Sequence, residues 1–347
     1  MNAGERSVPE FSFDYFYNTV NAYYRTAALK AAIELGVFDA VGEQGKTVEA
    51  IATACRASVR GIRILCCFLV SIGLLKKEGE RFFMTRAMSV HLARSSPGYL
   101  GESLRFLLSP YMVDSFKDLT SVIRDGRLHL PGDGVVAPDH PQWVEFARAM
   151  APTMSLQSLL LAEVADPKRD RPIRVLDVGA GHGLFGIAMA QRNPQARVAF
   201  LDWDNVLSVA RENAGRAGVL ERAQFLPGSA FDVDVGTGYD VILMANFLHH
   251  FDKAGCEVIL RRMHAALEDD GRLCILEFVT DESRTAPSIA LTFSMMMLST
   301  TPAGEAYAFS DLRKVCTNSG YAHVELKSIP PALEKVVVAR KTAAWRN

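Results

Sequence analysis

Apolar residues recur at helical spacing in the N-terminal third of the chain. In the C-terminal half they gather into short, evenly separated runs. From residue 8 to residue 35 the positions Phe13, Phe16, Val20, Tyr23, Tyr24, Ala27, Ala28 and Ala31 predict a helix that stops at Gly36. Thr47 is placed to cap a short helix reaching Cys55. Ser58 is placed to cap a longer one, Val59–Ile72, closed by Gly73. Leu74–Thr85 reads as a hairpin around Glu78-Gly79-Glu80, and two short helices followed by a hairpin form a winged-helix pattern. Residues 98–165 read as helical, interrupted by a polar loop at Pro131–Asp139. The polar, proline-bounded stretch Ala165–Pro172 reads as a linker.

Beyond the linker the period changes. Ile173–Val178, Arg197–Asp202, Ala223–Pro227, Asp240–Ala245 and Arg272–Phe278 are near-continuous apolar runs separated by helical segments. That alternation predicts a parallel sheet covered by helices on both faces. Two further strands, Ala322–Ser328 and Glu334–Arg340, are joined by Ile329–Leu333, which is too short for a crossover helix, so they must pair antiparallel. The expected architecture is α/β: a Rossmann-like, mostly parallel seven-stranded sheet with a C-terminal antiparallel hairpin, plus an α-helical winged-helix domain. The expected division is 1–100 for the winged helix, 101–165 for a helical linker and pocket region, and 166–347 for the sheet domain.

Composition narrows the partners. Hydrophobic residues make up 49% and charged residues 22% of the 347, with a net charge of −1, so nothing points to a nucleic-acid or membrane surface. The six cysteines form no Cys-x-x-Cys pair and suit free thiols in a reducing compartment. The N-terminus lacks a basic start followed by an apolar core, and no apolar run reaches the ~20 residues of a membrane span. A cytoplasmic protein with no metal is expected.

The chemistry concentrates just past the strands, where ligands bind in open α/β sheets. After the first strand comes Asp177-Val-Gly-Ala-Gly-His-Gly183, with glycines at 179, 181 and 183 before a helix. Such a loop brings bare backbone N–H groups to a ligand, and the helix end favours negative charge. After the second strand, Asp202 can accept from ribose hydroxyls and Trp203 can cover a purine face. After the third stand Ser229, Ala230 and Phe231, suited to an adenine edge and its other face, and after the fourth Asn246 joins the cofactor set. A dinucleotide loop spaces its glycines G-x-G-x-x-G, and Leu184 stands where the third would fall. Asp177 would also crowd a pyrophosphate, whereas it suits the ammonium and sulfonium of S-adenosyl-L-methionine. These residues favour S-adenosyl-L-methionine over NAD.

At these positions the chain resembles the plant and bacterial small-molecule O-methyltransferases that carry an N-terminal winged-helix dimerisation domain, the caffeate, hydroxyindole and polyketide enzymes among them. Leu176–Gly183 is similar to that family's first cofactor motif, Phe247–Cys256 to its catalytic segment and Gly271–Glu277 to its fifth strand. Phe146–Met150 is similar to its pocket helix. The resemblance implies His249 as general base, Glu277 as its support and Met150 as a pocket residue; a homodimer is implied as well. His250 stands where the family has an acid after the base and is expected to point away or cap the next helix. Glu305 lies near the family's second supporting glutamate.

Independently of the family, a histidine near pKa ~6.5 can take the proton of a phenol near ~10 as the new bond forms. If the fourth and fifth strands are neighbours, Glu277 can hold the tautomer of His249. Phe146, Met150 and the Phe293/Met295-Met-Met-Leu298 segment, Met296 within it, suggest an apolar aromatic or polyketide-like acceptor. The residues leave open N- or C-methylation or altered chemistry on the same fold, and also a ligand-sensing winged-helix regulator. Against the regulator, Val59–Ile72 carries only Arg60 and Arg63 as basic residues and is too apolar to read DNA.

Overall fold

A computed structural model describes residues 10–128, 137, 139–166, 168 and 171–342. Most of the expected loop at Pro131–Asp139 and part of the expected linker lie outside the described residues. The chain divides into two compact units, Met1–Leu104 and Arg105–Asn347.

The first unit is mainly helical. The expected first helix is two, Phe13–Val20 and Ala22–Glu34. Between them the Asn21 side-chain amide donates to the Tyr17 carbonyl at 3.0 Å, and such local competition for the backbone ends a helix. Thr47 and Ser58 accept from the Ala50 and Gly61 amides and start the helices Val48–Ala54 and Val59–Ser71. Strand β1 (Lys46–Thr47) joins β2 (Lys76–Glu78) and β3 (Arg81–Phe83) in the order β1-β3-β2, all antiparallel. Ile51, Ile62, Cys66, Leu69, Leu75 and Phe82 fill this unit's core. The Phe13–Val20 helix buries nothing: Phe13 is 76% and Tyr17 59% exposed.

The second unit holds seven strands: β4 (Arg174–Val178), β5 (Arg197–Asp202), β6 (Ala223–Pro227), β7 (Tyr239–Ala245), β8 (Leu267–Glu277), β9 (His323–Ser328) and β10 (Lys335–Arg340). Their order is β6-β5-β4-β7-β8-β10-β9; the first five run parallel, and β10 is antiparallel to both β8 and β9. Successive side chains point to opposite faces, so each central strand feeds two cores. Val175, Phe200, Leu243 and Leu276 pack beneath the helices Pro141–Ala165 and Leu184–Arg192. Leu176, Leu201, Met244 and Ile275 pack beneath Lys253–Ala266 and Phe309–Asn318.

Two further expectations need revision. The helical stretch before the sheet is broken into Leu104–Leu107, Pro110–Asp114 and Leu119–Asp125 before the long helix begins. Ser109 and Asp118 cap new starts and Gly126, at φ 66°, ends the last, so capping residues overrode the apolar periodicity. Strand β8 begins earlier than expected, because Leu267 pairs with Tyr239 ahead of a register shift between Tyr239 and Val241.

Candidate active site

The strand order reverses between β4 and β7, and the ligand crevice of a doubly wound sheet opens at such a reversal. A cavity of about 280 Å³ lies there, lined by the glycine loop, Asp202, Trp203, Ser229, Ala230, Phe231, Asn246 and His250, and on its helical side by Trp143 and Phe146. Eight of the nine residues expected to hold the cofactor thus share one cavity. The ninth, Asp177, sits beneath the loop.

Gly179 has φ 66° and lies where any Cβ would overlap the Phe247 ring, so only glycine lets the loop pass. Asp202 ties the loop to β5: its Oδ2 accepts from the Gly181 amide at 2.7 Å and its Oδ1 from the Trp203 amide at 2.7 Å. Burial lifts the Asp202 carboxyl to about 6 despite those two donors. Asp177 is fully buried; its Oδ2 accepts from the Gly186 amide at 2.8 Å while Oδ1 has no partner among the described residues, and burial raises the group to about 8. Its part is therefore to pin the helix that follows the loop. His182, buried and pushed down to about 4 by burial, accepts the Leu184 amide at that helix's start. Asn246 holds φ 52°, a conformation costly for a side-chain-bearing residue, and its buried Oδ1 has no partner among the described residues. The Ser229 hydroxyl accepts from the Phe231 amide.

The turn after β7 carries His249, and β8 ends in Glu277. Because β7 and β8 are paired neighbours, these side chains meet: His249 Nδ1 lies 2.5 Å from Glu277 Oε2, and both residues are 3% exposed. The other carboxylate oxygen accepts from the amides of Phe247 at 3.1 Å and Leu248 at 2.9 Å. His249 does not line the cavity; its ring edge meets Phe293, with centroids 4.5 Å apart, on the helix Ser288–Thr300. The same helix carries Met296, which packs with Phe146, Met150, Phe106 and Met112 in one apolar cluster. The three expected acceptor-side residues are thereby brought together beside the cavity.

His250 departs from expectation. Asp252, not His250, caps the next helix by accepting the Gly255 amide. The His250 ring turns inward, lines the cavity and stands edge-on to Trp143 at 5.0 Å. The only sequence signal for this was its place next to His249 in a short turn. Glu305 points elsewhere: its carboxylate pairs with Arg284 at 2.9 Å. Among the described residues no cluster of three or more His, Cys, Asp or Glu side chains could hold a metal ion, and no helix is long and apolar enough to cross a membrane.

Comparison with known proteins agrees with this geometry. Residues 132–322 match the O-methyltransferase domain, and residues 17–95 match the O-methyltransferase dimerisation domain. A Nostoc punctiforme protein assigned as an O-methyltransferase is 43% identical, with a TM-score of 0.92 over 95% of this chain and 99% of that one. Human N-acetylserotonin methyltransferase, solved with S-adenosylmethionine, is 22% identical with a TM-score of 0.81 over 97% of this chain and 99% of that one. The mitomycin biosynthesis 6-O-methyltransferase of Streptomyces lavendulae is 26% identical over 79% of this chain and 80% of its own. With a match in each of its two units, the chain belongs to the O-methyltransferase family whose members carry an N-terminal dimerisation domain.

Proposed function

We propose that the protein transfers a methyl group from S-adenosyl-L-methionine to a hydroxyl of an apolar aromatic or polyketide-like small molecule, with His249 as general base. The residues at the cavity fit the cofactor. The glycine loop and helix start suit its carboxylate, Asp202 its ribose, and Trp203 and Phe231 its adenine. The unpartnered Asn246 Oδ1 is a buried acceptor of the kind an ammonium would satisfy. When bound, the cofactor supplies an electrophilic methyl on a good leaving group.

What remains for the protein is to place the acceptor oxygen and remove its proton. The observation that carries the reading is the buried His249–Glu277 pair at the ends of adjacent strands. With Nδ1–H donated to the Glu277 carboxylate, Nε2 is left as a bare acceptor for a phenolic proton. Base catalysis of this kind is worth ~100- to 10,000-fold, and alignment adds to it. Phe106, Met112, Phe146, Met150 and Met296 supply the apolar wall. The dimerisation domain, with its exposed aromatic helix, supports a homodimer.

A screen of phenolic acceptors with S-adenosyl-L-methionine, with mass spectrometry of the products, tests this reading. A mass gain of one methyl on oxygen is expected. Methylation confined to small, highly charged acceptors would overturn the acceptor class.

A further inference from the structure

His250 is a cavity-facing imidazole to which the reaction proposed above assigns no work. The residue is 9% exposed, and its ring lies between two neighbours: Trp143 edge-on at 5.0 Å and His249 at 4.2 Å between centroids. Its Nδ1 is sealed from solvent and has no hydrogen-bond partner among the described residues. Nε2 is therefore the nitrogen available to a ligand. A proton on Nδ1 would be a buried donor with nothing to accept it, so the proton belongs on Nε2, where a ligand can take it.

The two histidines then present opposite characters side by side. His249 gives its Nδ1 proton to Glu277 and offers a bare Nε2. His250 offers an Nε2–H. Burial, reinforced by His249, holds the His250 pKa well below the ordinary histidine range, so it is a neutral donor and does not compete as a base.

We propose that His250 is a specificity-determining residue that donates a hydrogen bond to a carbonyl oxygen ortho to the methylated hydroxyl, so that the favoured acceptors are o-hydroxyaryl ketones. Such a phenol holds its own proton in an internal hydrogen bond to the carbonyl. That bond raises its pKa and hides the proton from a base. A donor aimed at the carbonyl replaces the internal bond and turns the hydroxyl proton toward His249. The proton moves from the phenol oxygen to His249 Nε2 as the oxygen forms its bond to the methyl carbon and the carbon–sulfur bond breaks. His250 keeps its own proton throughout. A carboxylate at position 250 would repel the carbonyl oxygen, whereas a neutral imidazole attracts it.

The inference rests on the proposed O-methylation, and two readouts separate them. The first is kcat/KM for 1-hydroxy-2-acetonaphthone against 1-naphthol, in the wild-type dimer, His250→Phe and His250→Gln. We expect wild type to favour the ketone by about 10-fold, the scale of one good hydrogen bond. His250→Phe should bring that ratio close to one. His250→Gln, whose amide N–H can stand in for Nε2–H, should restore most of it. Equal losses on both acceptors in His250→Phe, or an unchanged ratio, would overturn the proposal. The second readout is equilibrium binding of the two naphthols to enzyme loaded with S-adenosyl-L-homocysteine. Tighter ketone binding by wild type than by His250→Phe supports the role of His250 even if neither compound is methylated, in which case only the proposed reaction fails. Equal binding of both compounds by wild type and variant overturns the role of His250 whatever the turnover.

Discussion

His249 Nδ1 and Glu277 Oε2 stand 2.5 Å apart in a buried site, and the same carboxylate also accepts the amides that form the His249 turn. Glu277 therefore both orients the imidazole and shapes the loop that carries it. Glu277→Ala should leave several buried N–H groups unpaired and cost roughly 3 kcal/mol of stability. Glu277→Gln should fold better, because its amide oxygen can still accept two of them, yet lose at least ~10-fold in kcat. Urea unfolding and steady-state kinetics on the two variants separate these roles. Equal kcat in the Glu277→Gln variant and the wild-type enzyme would remove Glu277 from the chemistry.

His249, the proposed base, lies outside the lining of the cofactor cavity, so removal of its imidazole leaves that cavity intact. His249→Ala should keep the affinity for S-adenosyl-L-methionine within about 3-fold and lose ~100- to 10,000-fold in kcat. Calorimetric titration and turnover measure the two. Unchanged turnover would falsify the base assignment.

Gly179 should be intolerant of the smallest substitution. A methyl group there meets the Phe247 ring on a backbone with φ 66°. Gly179→Ala is expected to weaken cofactor binding by ~10- to 100-fold, a strain of about 1–3 kcal/mol. Adding Phe247→Ala should recover part of that loss, because it removes the clash but leaves the unfavourable φ. No recovery in the double variant would show that the loop's backbone conformation alone sets the effect.

Asp177 gives the fold a defined pH dependence. Its carboxyl is raised by burial to about 8, against 3.8 when unfolded. Between those values the folded chain binds the proton and the unfolded chain does not, so this group makes stability fall as pH rises. Asp177→Asn removes that slope. The stability of the variant relative to wild type should rise from pH 5 to pH 9, by more than ~1 kcal/mol. Parallel stability profiles for the two proteins would contradict the buried, protonated aspartic acid.

The aromatic helix of the first unit offers a test of assembly. Phe13 is 76% and Phe16 55% exposed, an apolar face that needs a partner. Light scattering at micromolar concentration should give twice the chain mass. Phe13→Asp combined with Phe16→Asp should shift it to a single chain. A wild-type monomer at that concentration would remove the dimer.

The strands of the second unit were legible because both sheet faces are covered, which makes each strand a short apolar run. Ile173–Val178 and Asp240–Ala245 could hardly be read otherwise, and the brevity of Ile329–Leu333 dictated the antiparallel pairing of β9 and β10. The meeting of His249 with Glu277 also followed from strand adjacency. The break at Asn21 and the short helices after Ser109 and Asp118 were not legible from periodicity, since single polar side chains competing for backbone groups decide them. The setting of Asp177 was not legible for a related reason. Sequence shows an acid beside a ligand loop, but only packing shows that it lies beneath the loop, where burial raises its carboxyl to about 8. The inward direction of His250 was not legible, because the orientation of a side chain in a one-turn segment depends on Trp143, which is distant in the chain.

The position of β10 between β8 and β9 also orders events during synthesis. Glu277 faces Lys335 across that pairing, so β8 is an uncovered edge until the last strand of the sheet has been made. The first unit, which ends at Leu104, is complete in the chain long before that point. Insertion of a strand between two that were made earlier is a long-range, slow step. Chains stalled before residue 335 would therefore display an open, apolar sheet edge instead of a finished site, which marks them for chaperones or proteases.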